Sequence, residues 1–208
     1  MKILVINPNS ARAVTDGIAT ALAPLGDHFR VCDLADQPAT IATEEDVARA
    51  GLGVADLVRQ QEALAYVTAC FSDPGLDLAR SLTRRPVIGI QEAGILTALA
   101  RADRFGIVAL GPKSVPRHLR KIRQMGVEAR LAGELPLSGV SAEASGRDPA
   151  VYAEVLEAAA RLRDMGAGAI VLGCAGMAPI RARLEAEIGV AIIDPVMAGA
   201  AMALGAVS

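Results

Sequence analysis

Short apolar runs alternate with amphipathic stretches along this 208-residue chain, and this alternation restricts its fold more than any other feature. The runs ILVI (3–6) and AIVL (169–172) do not alternate apolar with polar residues, which is typical of strands covered on both faces. Strands that alternate with helices predict parallel βαβ units with right-handed crossovers. The predicted strands are Ile3–Ile6, Phe29–Leu34, Leu64–Ala69, Val87–Ile90, Gly106–Leu110, Val127–Leu131, Ala169–Leu172 and Ala191–Ile193. The predicted helices include Ala11–Ala23, Glu44–Gln61, Leu76–Leu82, Val115–Met125, Pro149–Met165 and Met177–Glu187.

The two halves of the sequence also resemble each other. A shift of 104 residues without a gap superimposes Cys70 on Cys174, predicted strands on predicted strands, and Ser10 on Ser114. Coincidence explains any one of these matches more easily than all of them, so we expect two similar lobes, each with four parallel strands and helices on both faces. The joint between the lobes is expected within residues 91–104.

Composition excludes several classes of function. The net charge of −2 argues against a nucleic-acid surface, and the basic cluster at residues 117–121 is interpreted as a solvated helix face. The apolar run at the amino terminus is too short for a signal peptide or a membrane span. Three cysteines, an odd number, do not form a secreted disulfide framework, so a cytoplasmic location is expected.

Cys70 and Cys174 each follow the third predicted strand of their lobe, where ligands bind in open parallel sheets. A helix start follows each cysteine, and in the first lobe Asp73 is expected as the N-cap with Pro74 at the first helical position. The positive end of a helix dipole favours a thiolate. Two lobes that face each other would direct both thiols into one cleft.

Inversion of an acidic carbon needs a base on one face and an acid on the other, and a pair of opposed cysteines supplies both. The expected catalytic residues are therefore Cys70 and Cys174. The resulting carbanion needs hydrogen-bond donors at its oxygen, and backbone N–H groups at strand ends are suited to this role. The expected donors are those of Phe71, Ser72, Ala175 and Gly176.

The cysteines, histidines and serine loops also have interpretations outside proton transfer. A lone cysteine after a strand is often structural, and Cys32, which has no counterpart in the repeat, is interpreted in this way. His28 and His118 lack metal-ligand spacing, so no zinc site is expected. His118 is expected at the surface, although a Cys–His nucleophile pair remains open. A redox disulfide between Cys70 and Cys174 would not explain the matching loops that follow them. No nucleotide-binding motif follows a strand, so no cofactor is expected, and the loops around Ser10 and Ser114 are typical of helix caps or of contacts to a small polar ligand.

The sequence resembles the aspartate/glutamate/hydantoin racemase superfamily, and most closely its hydantoin and allantoin racemase branch. The resemblance rests on VINPNS (5–10), ACFSDPGLD (69–77), PVIGIQEA (86–93) and IVLGCAGM (170–177). It implies a cofactor-independent racemase with two pseudo-symmetric, flavodoxin-like lobes, an active site in the cleft between them and Cys70 and Cys174 as the proton-transfer residues. The implied lobes are residues 1–93, with the helix 194–208 packed on them, and 94–193. The implied substrate contacts are Asn9, Ser10, Phe71, Ser72, Ser114, Ala175 and Gly176, and the implied assembly is a homo-oligomer, at least a dimer.

Substrate and reaction class leave alternatives open within this resemblance. The presence of both thiols argues against the decarboxylase branch, which has one, but does not exclude a maleate isomerase. Aspartate and glutamate racemases need firm binding of a carboxylate, and no arginine is evident in the loops near the thiols. The sequence therefore favours a neutral or weakly anionic ring such as a 5-substituted hydantoin or allantoin. The alternative outside catalysis is a two-lobed small-molecule sensor.

Overall fold

Seven of the eight predicted strands form close to their predicted positions in the computed structural model, which describes residues 1–208. The sixth was misplaced: residues 128–130 form a 3₁₀ turn, and the strand follows them. This strand lies at a sheet edge, is only half-buried and contains Gly133, so its pattern is weak. The strands are β1 Ile3–Asn7, β2 Phe29–Asp33, β3 Tyr66–Thr68, β4 Val87–Gly89, β5 Phe105–Ala109, β6 Leu131–Pro136, β7 Ala169–Gly173 and β8 Ala191–Ile193.

The apolar pattern does not predict the bounds of the helices at residues 90–101 and 195–207, and the helix predicted at residues 177–187 is divided in two in the structure. Helix α4, Ile90–Arg101, fills most of the predicted joint between the lobes. A proline at position 179 leaves a 3₁₀ segment, residues 175–180, ahead of helix α7, Arg181–Ile188. No helix combines the length and the apolar character needed to cross a membrane. The helices are α1 Arg12–Leu22, α2 Glu44–Gln60, α3 Leu76–Leu82, α4 Ile90–Arg101, α5 Val115–Gln124, α6 Pro149–Asp164, α7 Arg181–Ile188 and α8 Pro195–Val207.

The strands form two four-stranded parallel sheets, ordered β2-β1-β3-β4 and β6-β5-β7-β8. In β1, Leu4 and Ile6 pack with α2 and α3, whereas Ile3 and Val5 face the opposite core with α1 and α8. This larger core continues without a break to β7 and to α6 and α7 of the second sheet. The two-lobed α/β architecture with helices on both faces is therefore confirmed.

The repeat is real, but the gap-free shift of 104 residues is wrong in detail. Pairing of β1 with β3 sets Ile6 opposite Thr68, two residues before Cys70. Pairing of β5 with β7 sets Val108 opposite Leu172, two residues before Cys174. Ile6 is therefore equivalent to Val108, and the loops after β1 and β5 are offset from the predicted superposition. As a result, Ser10 and Ser114 are not equivalent residues.

The last helix, α8, packs on the first sheet through a small-residue contact. Gly199 lies against the side chains of Val67, Ile88 and Ile90, with little room for a Cβ atom. The exact division of the chain at residues 93 and 193 stays a prediction, because α4 runs through the first of these positions.

Candidate active site

One pocket lies where the carboxyl ends of both sheets meet, and both predicted cysteines line it. Cys70 follows β3 and Cys174 follows β7, so each sheet contributes one thiol. The cavity beside them is small, about 40 Å³, which corresponds to roughly three water molecules. Of the predicted contact residues, Asn9, Phe71, Ser72, Ser114 and Ala175 also line this pocket, whereas Ser10 and Gly176 do not.

Burial raises the pKa of both thiols, in contrast to the expected preference for thiolates. The pKa of Cys70 is raised to about 12, although the backbone N–H of Ser72 and the charge of Arg117 act in the opposite direction. The pKa of Cys174 is also raised by burial, against the lowering effects of the backbone N–H groups of Gly176 and Met177 and the hydroxyl of Ser145. Loss of solvent therefore outweighs the effect of the local donors on the pKa of each thiol.

The backbone donors after the cysteines serve the thiols in this state. The Gly176 N–H donates to the Sγ atom of Cys174 at 3.4 Å. The Ser72 N–H acts in the same way on Cys70. Their expected role toward a substrate oxygen, like that of Phe71 and Ala175, stays a prediction.

Asn9 and Ser114 are fixed by local hydrogen bonds. The Oδ1 atom of Asn9 accepts bonds from the Asn7 side chain at 3.0 Å and from the Ala11 backbone at 2.9 Å. With its oxygen engaged twice, Asn9 has its Nδ2 group left for a ligand. The Ser114 hydroxyl donates to the Gly111 carbonyl at 2.7 Å and does not cap α5.

The prediction that Asp73 caps the helix that follows it is wrong. Gly75 precedes α3 in a left-handed conformation, and Asp73 itself has a φ of 43°. The buried Asp73 carboxylate instead accepts bonds from the N–H groups of Gln91 at 2.9 Å and Glu92 at 3.0 Å, at the start of α4. The Asp73 N–H donates to the Cys70 carbonyl at 2.9 Å, so this cap also secures the loop that carries the thiol.

The assignment of residues 117–121 to a solvated helix face is wrong for Arg117 and His118. Both residues line the pocket. The loops near the thiols lack an arginine, as the sequence indicates, but helix α5 brings Arg117 to the pocket. His118 is 1% exposed, lies within 2.6 Å of a carboxylate oxygen of Glu134, and its ring packs edge-on against Phe71. Arg117 donates from Nε to the Ser72 hydroxyl at 2.7 Å. Helical spacing from Ile122 places His118 on the buried face of α5, so the sequence carried a signal for it. Arg117 has no such signal, because only bonds from the first turn of α5 to distant segments bring it inward.

Comparison with known proteins agrees with this architecture. The sequence model of the family described as Asp/Glu/Hydantoin racemase matches residues 3–203. The hydantoin racemase of Paenarthrobacter aurescens is 40% identical, covering 98% of this chain and 89% of that protein. The hydantoin racemase of Rhizobium meliloti is 36% identical, covering 98% and 87%. The solved allantoin racemase from Klebsiella pneumoniae is 33% identical with a TM-score of 0.90, covering 99% of this chain and 86% of that one.

Two lobes with a shared pocket at their strand ends define an α/β enzyme of the racemase type. The chain belongs to the Asp/Glu/hydantoin racemase family, and the enzyme is an isomerase.

Proposed function

We propose that this protein racemises a 5-substituted hydantoin or allantoin without a cofactor, through proton transfer between Cys70 and Cys174. The observation that carries the proposal is the entry of one thiol from each sheet into a single pocket. Family membership supports racemisation, and the hydantoin and allantoin racemases among its relatives support the substrate class.

The chemistry follows from the acidity of C5 in a hydantoin ring, where loss of the proton gives a planar enolate. One cysteine, as thiolate, takes the proton from one face, and the opposed thiol then donates its own proton to the other face. No atom is gained or lost, and the two cysteines have exchanged protonation states at the end. The other enantiomer uses the same steps in reverse.

The protonation state of the two thiols determines how this exchange begins. Burial raises the pKa of both thiols, so both are protonated at neutral pH before substrate enters, and one of them has to release its proton to solvent for the cycle to start. Asn9 and the backbone N–H groups after each cysteine are the donors proposed for the enolate oxygen.

The test is proton NMR in D₂O with a single enantiomer of a 5-substituted hydantoin, of allantoin, and of L-aspartate in separate tubes, each with a protein-free blank. We expect loss of the C5–H signal of a hydantoin together with loss of optical rotation. At early times, deuterium should enter the product enantiomer and not the recovered starting enantiomer, because each face meets a different cysteine. Equal incorporation into both would rule out the two-base mechanism.

Arg117 supports a second candidate, an acidic amino acid, because its guanidinium lines the same pocket and arginine pairs well with carboxylates. The L-aspartate tube decides between them. Loss of the Cα–H signal there, without reaction of either hydantoin, would favour the amino acid.

The remaining parts of the proposal concern the whole molecule. We propose a cytoplasmic homo-oligomer, at least a dimer, built from lobes at 1–93 with 194–208 and at 94–193. Light scattering coupled to size-exclusion chromatography measures the oligomer directly, and a monomer at micromolar concentration would contradict it.

A further inference from the structure

Arg117 carries a positive charge that no carboxylate of the protein balances. Its Nε group donates to the Ser72 hydroxyl at 2.7 Å, and one Nη group donates to the carbonyls of Ala42 at 3.2 Å and Lys113 at 3.0 Å. The other Nη donates to the Ile41 carbonyl at 3.4 Å. All of these acceptors are neutral. A guanidinium has five N–H donors, so one of them is left without a protein acceptor.

The carboxylates closest to balancing Arg117 are already engaged elsewhere. Glu44 and Glu134 both act on its pKa, but Glu44 pairs with Arg120, and Glu134 pairs with His118. Burial is the largest influence and lowers the pKa of Arg117. A half-buried charge without a counter-ion is costly unless a ligand supplies one.

Arg117 stands where the thiol pocket meets a second, larger cavity. This outer cavity has a volume of about 310 Å³ and shares Thr40, Ile41, Leu110 and Ser114 with the pocket. The only charged side chains among its twelve lining residues are Lys113 and Arg117, and none is an aspartate or glutamate. The charged groups at the outer cavity are therefore all positive.

We propose that the outer cavity receives the 5-substituent of the substrate, and that this substituent carries a carboxylate bound by Arg117. This inference rests on the proposed racemisation of a hydantoin. The space of about 40 Å³ beside the thiols leaves little room beyond the reacting part of the ring. A substituent at C5 has to leave that space, and the outer cavity adjoins it at Arg117. A carboxylate there forms charge-assisted bonds that a neutral group cannot match.

The test compares two hydantoins of nearly equal shape, 5-(2-carboxyethyl)hydantoin and 5-(2-carbamoylethyl)hydantoin. At neutral pH they differ in the charge of the substituent and share the same ring. For the wild type we expect kcat/KM to be about 10-fold to 100-fold higher for the carboxylate, mostly through KM, as for a hydrogen bond to a charged group. The ratio between the substrates cancels any effect of Arg117 on Cys70 itself.

Variants assign the preference to one side chain. Arg117→Gln should reduce the ratio to about one, and Lys113→Ala should reduce it less, because Lys113 is exposed. Arg123→Gln is the matched control: it removes an exposed arginine from the same helix, outside the cavity and paired with Glu128, and should leave the ratio unchanged. Equal kcat/KM values for the two hydantoins in the wild type would overturn the proposal. So would an Arg117→Gln variant that loses activity on both substrates equally, since Arg117 would then only hold Ser72.

Failure of the reaction is separable from failure of the anion site. If neither of these hydantoins nor the substrates of the NMR test are racemised, the proposed function fails, and calorimetric titration with each racemate decides the binding question on its own. Tighter binding of the carboxylate that is lost in Arg117→Gln supports the anion site. Equal binding of both compounds, or binding of neither, overturns it.

Discussion

The helices that follow the last strand of each sheet, α4 and α8, begin at equivalent residues but are capped in different ways. Gly89 precedes α4 and Asp194 precedes α8, and the strand pairings assign both to the same position relative to the cysteines. Asp194 caps its own helix, accepting a bond from the Val196 N–H at 2.8 Å. Gly89 has no side chain, and the carboxylate of Asp73 fills that place, so closely that a Cβ atom on Gly89 would overlap with it.

The exchange of one cap for another changes what secures each thiol. In the first lobe, the capping carboxylate belongs to the loop of Cys70, so this loop and α4 are bound to each other. In the second lobe, the loop of Cys174 is confined by close backbone packing, since a Cβ atom on Gly176 would overlap with the Ala142 carbonyl. The two equivalent loops are therefore held by hydrogen bonds of a carboxyl group in one lobe and by close backbone contact in the other.

The two thiols also differ in whether the groups around them are charged. Cys70 is influenced by the charges of Arg117 and Asp73, whereas Cys174 is influenced by the neutral donors of Gly176, Met177 and Ser145. The two similar sheets thus bring one thiol each to the pocket but give the thiols different surroundings. Since each enantiomer starts from a different base in the proposed mechanism, kcat should differ between the two directions.

Removal of either thiol is expected to have the largest effect. Cys70→Ser and Cys174→Ser should each reduce racemisation by about 10²-fold to 10⁴-fold, because each removes one of the two proton-transfer groups. Polarimetry with a single enantiomer measures the rate. Cys32→Ser is the matched control, since Cys32 lies in β2 outside the pocket, and it should retain activity. Near-normal turnover in either of the first two variants would refute the roles proposed for the pair.

The next largest effect concerns the packing that confines the second loop. Gly176→Ala should displace the segment after Cys174 from Ala142, and a shift of about 1 Å at a reacting group can cost about 10²-fold in rate. We expect this loss in kcat, measured beside the unfolding midpoint in urea. Gly205→Ala is the control, because nothing lies within 4 Å of the added methyl group. Unchanged kcat in Gly176→Ala would show that the loop tolerates movement.

Much of this architecture could be predicted from the sequence because it depends on local patterns. Buried strands such as β1 and β7 are continuous apolar runs, and the cysteines mark the strand ends at which ligands bind. The half-buried edge strand β6 has no such run, and its position was predicted wrongly. Helix α4 was taken as a joint between the lobes, although its capping group, Asp73, lies well before it in the chain.

The lining of the pocket was harder to predict, because it depends on contacts between distant segments. Arg117 is in a basic stretch that resembles any exposed helix face, and only its bonds to Ser72 and to the carbonyls at 41 and 42 bring it inward. His118 is buried for a similar reason, by Phe71 and Glu134. Helical spacing does set His118 four residues before the buried Ile122, on a face that excludes the exposed Arg120, whereas no such spacing marks Arg117.

The smallest expected effect distinguishes the two capping carboxylates by their response to pH. Burial raises the pKa of Asp73 to about 7 and that of Asp194 to about 6, both above the value near 4 for an unfolded chain. Between pH 4 and these values, the folded protein binds more protons than the unfolded chain, so the free energy of unfolding falls as pH rises. Asp73→Asn should abolish the part of this fall that continues to about pH 7. Asp194→Asn should abolish the part that ends near pH 6. Above pH 7 the two contributions differ by about one pKa unit, or roughly 1.4 kcal/mol. Urea unfolding at pH 4.5, 6 and 7.5 measures the difference, and parallel pH profiles for the two variants would mean that both caps, despite their different origins, have the same electrostatic surroundings.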